Sequence, residues 1–196
     1  KYNKNDLIVA EWESTNIRKE SQGIERASDS IQYKIIDDIK NDRYDIIFDD
    51  DGSGEIADIV SIKVEEEIIY IDLYHCKYSH GDEPGARVSD LYEVCGQSQK
   101  SVNWKVKPDK IFKHMIKREH LRQSKYESTR FEVGDENKLN SIMSMAKIYP
   151  IKMNVYIVQP GISKKLVSNE QLNLLGVTQT WLLETLGVKL YVIVSE

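Results

Sequence analysis

The chain has 196 residues, of which 40% are hydrophobic and 30% charged, and its formal net charge is −5. This length fits one α/β domain, with or without an elaboration, and the apolar fraction can fill a buried core. No apolar run approaches the roughly 20 residues of a membrane-spanning helix, so no membrane association is expected. The two cysteines, Cys76 and Cys95, favour a reducing, cytoplasmic location over a disulfide-stapled secreted domain. Because the chain begins at Lys1, we expect a piece of a longer protein.

Apolar periodicity and turn residues predict an alternating order of helices and strands. Ile24, Ile31 and Ile39, for example, lie at helical spacing and predict one apolar helix face. In chain order we predict a helix over 24–42, strands over 44–48, 54–60 and 69–77, helices over 87–104 and 109–125, a strand over 129–133, a helix over 137–148, a strand over 151–158 closed by Pro160-Gly161, a helix over 169–186 interrupted at Gly176, and a strand over 188–194. We expect one domain over 1–196, in which residues 105–196 add a basic helix and an α/β extension of the sheet.

A polar patch interrupts two apolar strands that form a predicted hairpin. Side chains alternate between the faces of a strand, so His75 and Lys77 share one face of the second strand. A two-residue turn at 65–66 would place Asp58 of the first strand opposite Leu73. A four-residue turn would instead place Asp58 directly opposite His75. Either register gathers an acid, an imidazole and an ammonium group, which predicts an active site.

This arrangement resembles the PD-(D/E)xK nuclease superfamily, in which an Asp on one strand precedes an acidic-x-Lys motif on the next. Asp58 matches the first position and Lys77 the last, whereas His75 stands where most members carry Glu or Asp. The resemblance covers about residues 20–104 and implies a restriction-endonuclease-like core of a helix, three antiparallel strands, a second helix and a further strand. It also implies metal-dependent hydrolysis of phosphodiester bonds in nucleic acid, with DNA as the expected substrate.

The resemblance also implies a role for each residue of the patch. Asp58, His75 and the backbone carbonyl of Cys76 would bind a divalent ion, while Lys77 would orient the attacking hydroxide and stabilise negative charge. An imidazole in place of a carboxylate fits Mg²⁺ less well and suits Mn²⁺ comparatively better. Four nearby polar residues are accessory candidates: Gln32, Glu55, Glu93 and Gln97.

A second resemblance involves the helix that follows the patch. The string over 90–101, after a strand that ends in the Tyr-His-Cys-Lys of 74–77, resembles nuclease-like domains of bacterial helicase and defence proteins. It implies neighbouring helicase-like domains in the longer protein. Gly96 in mid-helix costs about 1 kcal/mol relative to Ala, which close approach of the sheet or of a substrate phosphate would explain, and we favour close packing of this helix on the sheet.

Charge is distributed unevenly along the chain. Residues 37–72 contain 13 acids and 3 bases, whereas residues 105–130 contain 9 Lys or Arg residues and 3 acids. The basic segment is expected to follow a nucleic-acid backbone, although a solvated helix face is an equally simple interpretation. Its expected nucleic-acid-binding residues are Lys113, Lys117 and Arg118. The acidic segment predicts either carboxylates around a metal ion or loops, such as 49–52, that stay in water.

Simpler roles are open for the patch residues. Asp58 and Lys77 could form an ion pair, and His75 could be a hydrogen-bonded core imidazole. A zinc site is a further alternative, but the spacing of its candidate ligands matches no pattern of paired Cys or His residues. Those candidates are His75, Cys76, His80 and Cys95. The alternative to an enzyme is a catalytically inactive nucleic-acid-binding or protein-docking module of a helicase-like protein, which the histidine substitution favours.

Overall fold

Seven strands form one sheet, with five α-helices around it, in the computed structural model, which describes residues 1–101, 104–105 and 107–196. The strands are β1 (Leu7–Val9), β2 (Ile46–Asp49), β3 (Ile59–Glu65), β4 (Ile68–Cys76), β5 (Phe131–Val133), β6 (Ile151–Ser163) and β7 (Lys189–Ser195). The helices are α1 (Ile31–Ile39), α2 (Ser89–Ser101), α3 (Asp109–Tyr126), α4 (Glu136–Met145) and α5 (Asn169–Leu186). None of these described helices is long and apolar enough to cross a membrane.

The strands lie in the order β1-β7-β6-β4-β3-β2-β5. Neighbours from β1 to β4 are parallel, and neighbours from β4 to β5 are antiparallel. The parallel pairs β4/β6 and β6/β7 require crossover connections, which contain α2 and α5. β4 therefore joins an antiparallel half of the sheet to a parallel half. This mixed sheet confirms the predicted α/β class and the addition of strands by the C-terminal half of the chain.

The two faces of the sheet carry separate apolar layers, because alternate side chains of a strand point to opposite faces. On one face, Leu73 of β4 and Val94 of α2 belong to the larger hydrophobic cluster. On the other face, Tyr74 of β4 and Ile35 of α1 belong to a second cluster. Odd-numbered residues of β4 thus face the α2 layer and even-numbered residues face the α1 layer.

β3 and β4 form the predicted hairpin, with a two-residue turn at 66–67 rather than at 65–66. Both turn residues are glutamates with positive φ (49° and 60°), as tight hairpin turns require. Val60 pairs with Leu73, so an extension of this register would place Asp58 opposite His75. This is the register that we predicted for a four-residue turn, but a two-residue turn shifted by one residue produces it.

Two predicted elements begin too early. The first helix begins at Ile31 rather than at residue 24, because the side chain of Ser30 accepts a hydrogen bond from the backbone N–H of Tyr33 and caps the helix there. The third strand begins at Ile59 rather than at residue 54. Ile56 is buried although it lies in the preceding loop, so the apolar pattern reflects burial there and not strand pairing.

Three other predictions differ from the structure near β6 and the chain termini. β6 continues through Pro160-Gly161 to Ser163, so that dipeptide does not close it. α5 is continuous at Gly176, where a Cβ atom would come within 2.7 Å of the backbone of the first two residues. The short β1, which pairs with β7, was not predicted at all. The predicted end of the second helix includes residues 102 and 103, which lie outside the described residues.

Candidate active site

Asp58 and Lys77 lie at the same end of the sheet. Asp58 immediately precedes β3 and Lys77 immediately follows β4, and these strands are antiparallel. Both residues are buried, with 3% and 7% of their surfaces exposed. The hairpin therefore brings the first and last residues of the predicted motif to one place.

The Asp58 carboxylate accepts hydrogen bonds from two different elements. Gln32 of α1 donates to Oδ1 at 3.0 Å, and the backbone N–H of Cys76 donates to Oδ2 at 2.8 Å. Burial, and then the charge of Glu55, raises the pKa of Asp58 well above its ordinary value, although the bond from Cys76 opposes the rise. Gln32, an accessory candidate, is thus a direct neighbour of the predicted catalytic aspartate.

Three carboxylates form a group that could hold a metal ion. One oxygen from each of Asp51, Glu55 and Asp58 lies within 4.8 Å of the others. Burial raises the pKa of Glu55, and Asp51 adds to that rise against a hydrogen bond from the backbone of Gly52. A divalent cation would relieve this repulsion, and three carboxylates are hard oxygen ligands of the kind that Mg²⁺ and Mn²⁺ accept. The residues present therefore fit such an ion.

The predicted ligand set differs from this carboxylate group. The described residues contain no metal-competent group with His75, Cys76, His80 or Cys95 as a member. The zinc alternative therefore has no geometric support. At Cys76 the backbone N–H donates to Asp58, and the thiol is buried, which raises its pKa well above the ordinary value.

Lys77 is held between two layers of the fold and not by Asp58. Its Nζ lies 3.0 Å from Glu93 of α2 and 3.3 Å from Glu20, which precedes α1. Burial alone would lower the pKa of Lys77, but the hydrogen bond to Glu93 and the charge of Glu20 outweigh it, and the pKa is raised. The simple Asp58–Lys77 ion pair is therefore not formed, and the lysine is a cation at the sheet end.

His75 faces the α2 layer, as the alternation of β4 requires. It is 2% exposed, and its Nε2 lies 2.9 Å from the hydroxyl of Ser101 in α2. Burial lowers the pKa of His75 to about 4, so the imidazole is neutral at physiological pH. In this position His75 resembles the hydrogen-bonded core imidazole more than a metal ligand.

A cavity of about 390 Å³ lies at the end of the hairpin, and Asp51, Glu55 and Lys77 line it, whereas Asp58 is buried outside its lining. Its walls are formed by Lys77, by α2 and by the loop between β2 and β3 (residues 50–58), which we call the carboxylate loop. Gln97, Trp104 and His75 also line the cavity. No protein-family model, curated protein or solved structure matches the chain significantly.

The carboxylate loop is fixed from behind by α3. Arg118 donates to the backbone carbonyls of Asp50, Asp51 and Ser53 at 2.7–2.8 Å. Asp50 is fully buried and accepts from the backbone N–H of Ile56 at 2.7 Å, while His114 Nε2 lies 3.0 Å from its carboxylate. Asp49 and Asp50 are therefore buried and held by bonds from other elements, whereas residues 52–54 are exposed, so only the tip of the acidic loop stays in water as expected.

The three basic residues predicted to bind nucleic acid differ in their surroundings. Lys113 and Lys117 are exposed on α3, and Lys113 lies 3.6 Å from Asp109. Arg118 has a side chain only 12% exposed, and its guanidinium binds the carboxylate loop. Arg118 is thus a structural residue of the site, while the two lysines are available at the surface.

Sequence reasoning missed two contributors to the site. Glu20 lies outside every predicted strand and the predicted first helix, and its only signal is a charge in the segment before that helix. Asp51 belongs to an acidic run whose members cannot be told apart by composition. The prediction that Gly96 allows close packing of α2 on the sheet is wrong, because a Cβ atom there would meet nothing within 4 Å.

Proposed function

We propose that this chain is a metal-dependent nuclease domain that hydrolyses phosphodiester bonds of nucleic acid, with DNA as the expected substrate. The observation that carries the proposal is the meeting of three carboxylates, Asp51, Glu55 and Asp58, with the Lys77 ammonium at one end of a β-hairpin. Hard anionic ligands beside a buried cation are the groups that phosphoryl chemistry uses.

The order of elements around the hairpin supports the same proposal. α1 is followed by the antiparallel strands β2, β3 and β4, then by α2, and then by β6 parallel to β4. This order is compatible with the core that the resemblance implies, although the further strand, β6, lies outside residues 20–104. Asp58 immediately precedes β3 and Lys77 immediately follows β4, near the positions that the nuclease superfamily uses for its motif.

Each residue has a defined role in this proposal. Asp51, Glu55 and Asp58 would hold a Mg²⁺ or Mn²⁺ ion, and Gln32 fixes the orientation of Asp58 through its amide. The chemistry that such an ion supplies is activation of a water molecule for attack and neutralisation of charge on the phosphate. Lys77 would stabilise the negative charge that develops on the phosphate oxygens.

Lys77 must exchange one of its present partners to contact a phosphate. Glu93 has a side chain that is 60% exposed, so it can swing into water at little cost when a phosphate takes its place. Glu20 is more enclosed, at 24%, and can keep the ammonium aimed into the cavity. Positive charge on the exposed Lys113 and Lys117 of α3 would hold the phosphates that flank the cleaved bond.

The experiment is a cleavage assay of purified protein on single- and double-stranded DNA and RNA with Mn²⁺ or Mg²⁺. We expect Asp58→Ala and Lys77→Ala each to lower the cleavage rate by at least 100-fold, the size of effect seen when one charge-stabilising group is removed. The exposed Asp37→Ala and Lys189→Ala are matched controls that should retain full activity. Circular dichroism and thermal unfolding establish that each variant is folded. Equal activity of Asp58→Ala and wild type would refute the proposed site.

A second candidate function is a nucleic-acid-binding or docking module without catalysis. It is favoured by His75, which stands at the usual position of an acidic ligand but is bonded to Ser101 instead. On this alternative, the wild type is inert with every divalent ion but still binds nucleic acid. Binding that is lost in Lys113→Glu/Lys117→Glu and retained in Asp58→Ala would then identify the module.

A further inference from the structure

The hydrogen-bonding state of His75 follows from its partner on α2. The Ser101 hydroxyl has one hydrogen, and it donates it to the backbone carbonyl of Ser98 at 2.9 Å. In the 2.9 Å contact with His75, the serine oxygen can therefore only accept, so His75 Nε2 carries a hydrogen. Since the ring is neutral, Nδ1 presents a lone pair. It is a hydrogen-bond acceptor.

This acceptor has no hydrogen-bond partner in the described part of the chain. His75 Nδ1 is buried and unpaired, and so is Oε1 of Gln97, one helical turn before Ser101 on α2. Both residues line the cavity that also contains Lys77 and the carboxylate loop. A buried polar group without a hydrogen-bond partner is unfavourable, and most such groups in native proteins are paired with protein, water or a ligand. Two unpaired acceptors on residues that line one cavity therefore suit a ligand that supplies hydrogen-bond donors.

The other walls of the cavity limit what that ligand can be. The Trp104 side chain lines the same cavity and contacts the ring of His114, with 5.2 Å between ring centroids. An indole in a cavity of about 390 Å³ suits a flat, heteroaromatic ring, which can stack on the indole. A phosphate is excluded from this corner because its oxygens would face two acceptors.

We propose that the α2 side of the cavity is a nucleobase subsite that selects bases with an exocyclic amino group. His75 Nδ1 and Gln97 Oε1 accept from the base, and Trp104 contacts its ring. Adenine, cytosine and guanine carry such a group, whereas thymine offers carbonyl oxygens in its place. The inference rests on the proposed function, because Lys77 in the same cavity would then contact the phosphate attached to the bound nucleotide.

The base subsite is tested without metal and without cleavage, by titration of deoxycytidine and thymidine. Nucleosides are used because a phosphate would be repelled by the carboxylates when no cation is present. The indole N–H signals in the NMR spectrum report binding, and Trp104→Phe assigns the signal of Trp104. We expect deoxycytidine to shift that signal and to bind at least ten-fold more tightly than thymidine.

Two variants test the acceptors. Gln97→Leu, at a half-exposed position, is expected to reduce the preference for deoxycytidine to within three-fold. His75→Phe is expected to do the same, and Gln97→Leu keeps the test decisive if this buried variant does not fold. Gln99→Leu is the control on the same helix, because Gln99 contacts Thr178 of α5 and is not part of the cavity; it should keep the preference.

The outcomes separate this inference from the proposed nuclease function. Equal affinity for the two nucleosides, or no binding of either at millimolar concentration, overturns the base subsite even if the protein cleaves DNA. A preference for deoxycytidine that depends on Gln97 supports the subsite even if no metal yields cleavage. An unchanged preference in Gln97→Leu also refutes the assignment, because the discriminating acceptor would then lie elsewhere.

Discussion

Arg118→Met is the sharpest test of how the carboxylate loop is held. The arginine donates three hydrogen bonds to loop carbonyls, and its Nε lies 2.6 Å from Asp50 Oδ1, a charge contact that is not aligned as a hydrogen bond. Methionine keeps much of the side-chain volume but removes the charge and every donor. Of its partners among the described residues, the buried Asp50 carboxylate then keeps His114 and the backbone N–H of Ile56.

The expected loss of stability follows from that geometry. Removing one partner of a buried ion pair costs about 3–5 kcal/mol, and we take the lower value because Arg118 is 12% exposed. For a protein of this size, about 3 kcal/mol lowers the melting temperature by roughly 6–12 °C. Thermal unfolding followed by circular dichroism measures it. Lys117→Met, one residue earlier on the exposed side of α3, is the control and should change stability by less than about 0.5 kcal/mol.

Mn²⁺ affinity gives a second readout of the same variant. If Arg118 positions the loop, Arg118→Met should bind Mn²⁺ more weakly than wild type at a temperature where both are folded, and Lys117→Met should bind it normally. Isothermal titration calorimetry provides the comparison. A melting temperature within 1 °C of wild type, together with unchanged Mn²⁺ affinity, would refute the assignment of Arg118 as the residue that fixes the carboxylate loop.

Two further predictions concern glycines and pH. Gly134→Ala should lower the free energy of unfolding in urea by about 1–3 kcal/mol, because φ is +76° and a Cβ would lie 2.5 Å from the Asp45 carbonyl oxygen. Gly96→Ala in α2 should raise that free energy by up to about 1 kcal/mol. Changes of the opposite sign would contradict this account. Burial raises the pKa of Asp72 despite its bond from Tyr44, so the folded state loses stability as pH rises from the ordinary aspartate pKa through the raised one. Asp72→Asn should therefore raise the melting temperature more at pH 7 than at pH 3.5, and an equal change at both would show that this carboxylate is not the cause.

Much of the fold could be predicted because apolar spacing records which face of an element is buried. The spacing around Leu91 and Val94 predicted α2. The alternation of side chains along β4 predicted that His75 and Lys77 point to the same face of the sheet. Boundaries were less predictable, because Ile56 and Ala57 are buried in a loop and look like strand residues. β6 passes through Pro160-Gly161, and beyond it Ile162 bridges to Gly85 and Ser163 pairs with Ser195, contacts between distant residues that no local turn rule contains.

The site was predictable only where its residues lie on the hairpin. Asp58 and Lys77 were found because a charged residue in an apolar strand is conspicuous. Asp50 was not understood, since its partners His114 and Arg118 lie more than 60 positions away in the sequence. The sequence predicted which face of the sheet His75 points to, but not that its Nε2 lies against Ser101, because that contact depends on where Ser101 falls on α2.

The pairing of β1 with β7 has a consequence for how the protein is made. Val9 ends β1 and Lys189 begins β7, so the first strand must wait for roughly 180 residues to be synthesised, which takes about 10–35 s on a ribosome. The hairpin of β3 and β4 is complete long before then. Until β7 emerges, β6 presents an unpaired edge of Ile, Val and Tyr residues, which is a template for aggregation. Expression should therefore be most sensitive to changes in the last helix and strand, which carry none of the residues named for the candidate site.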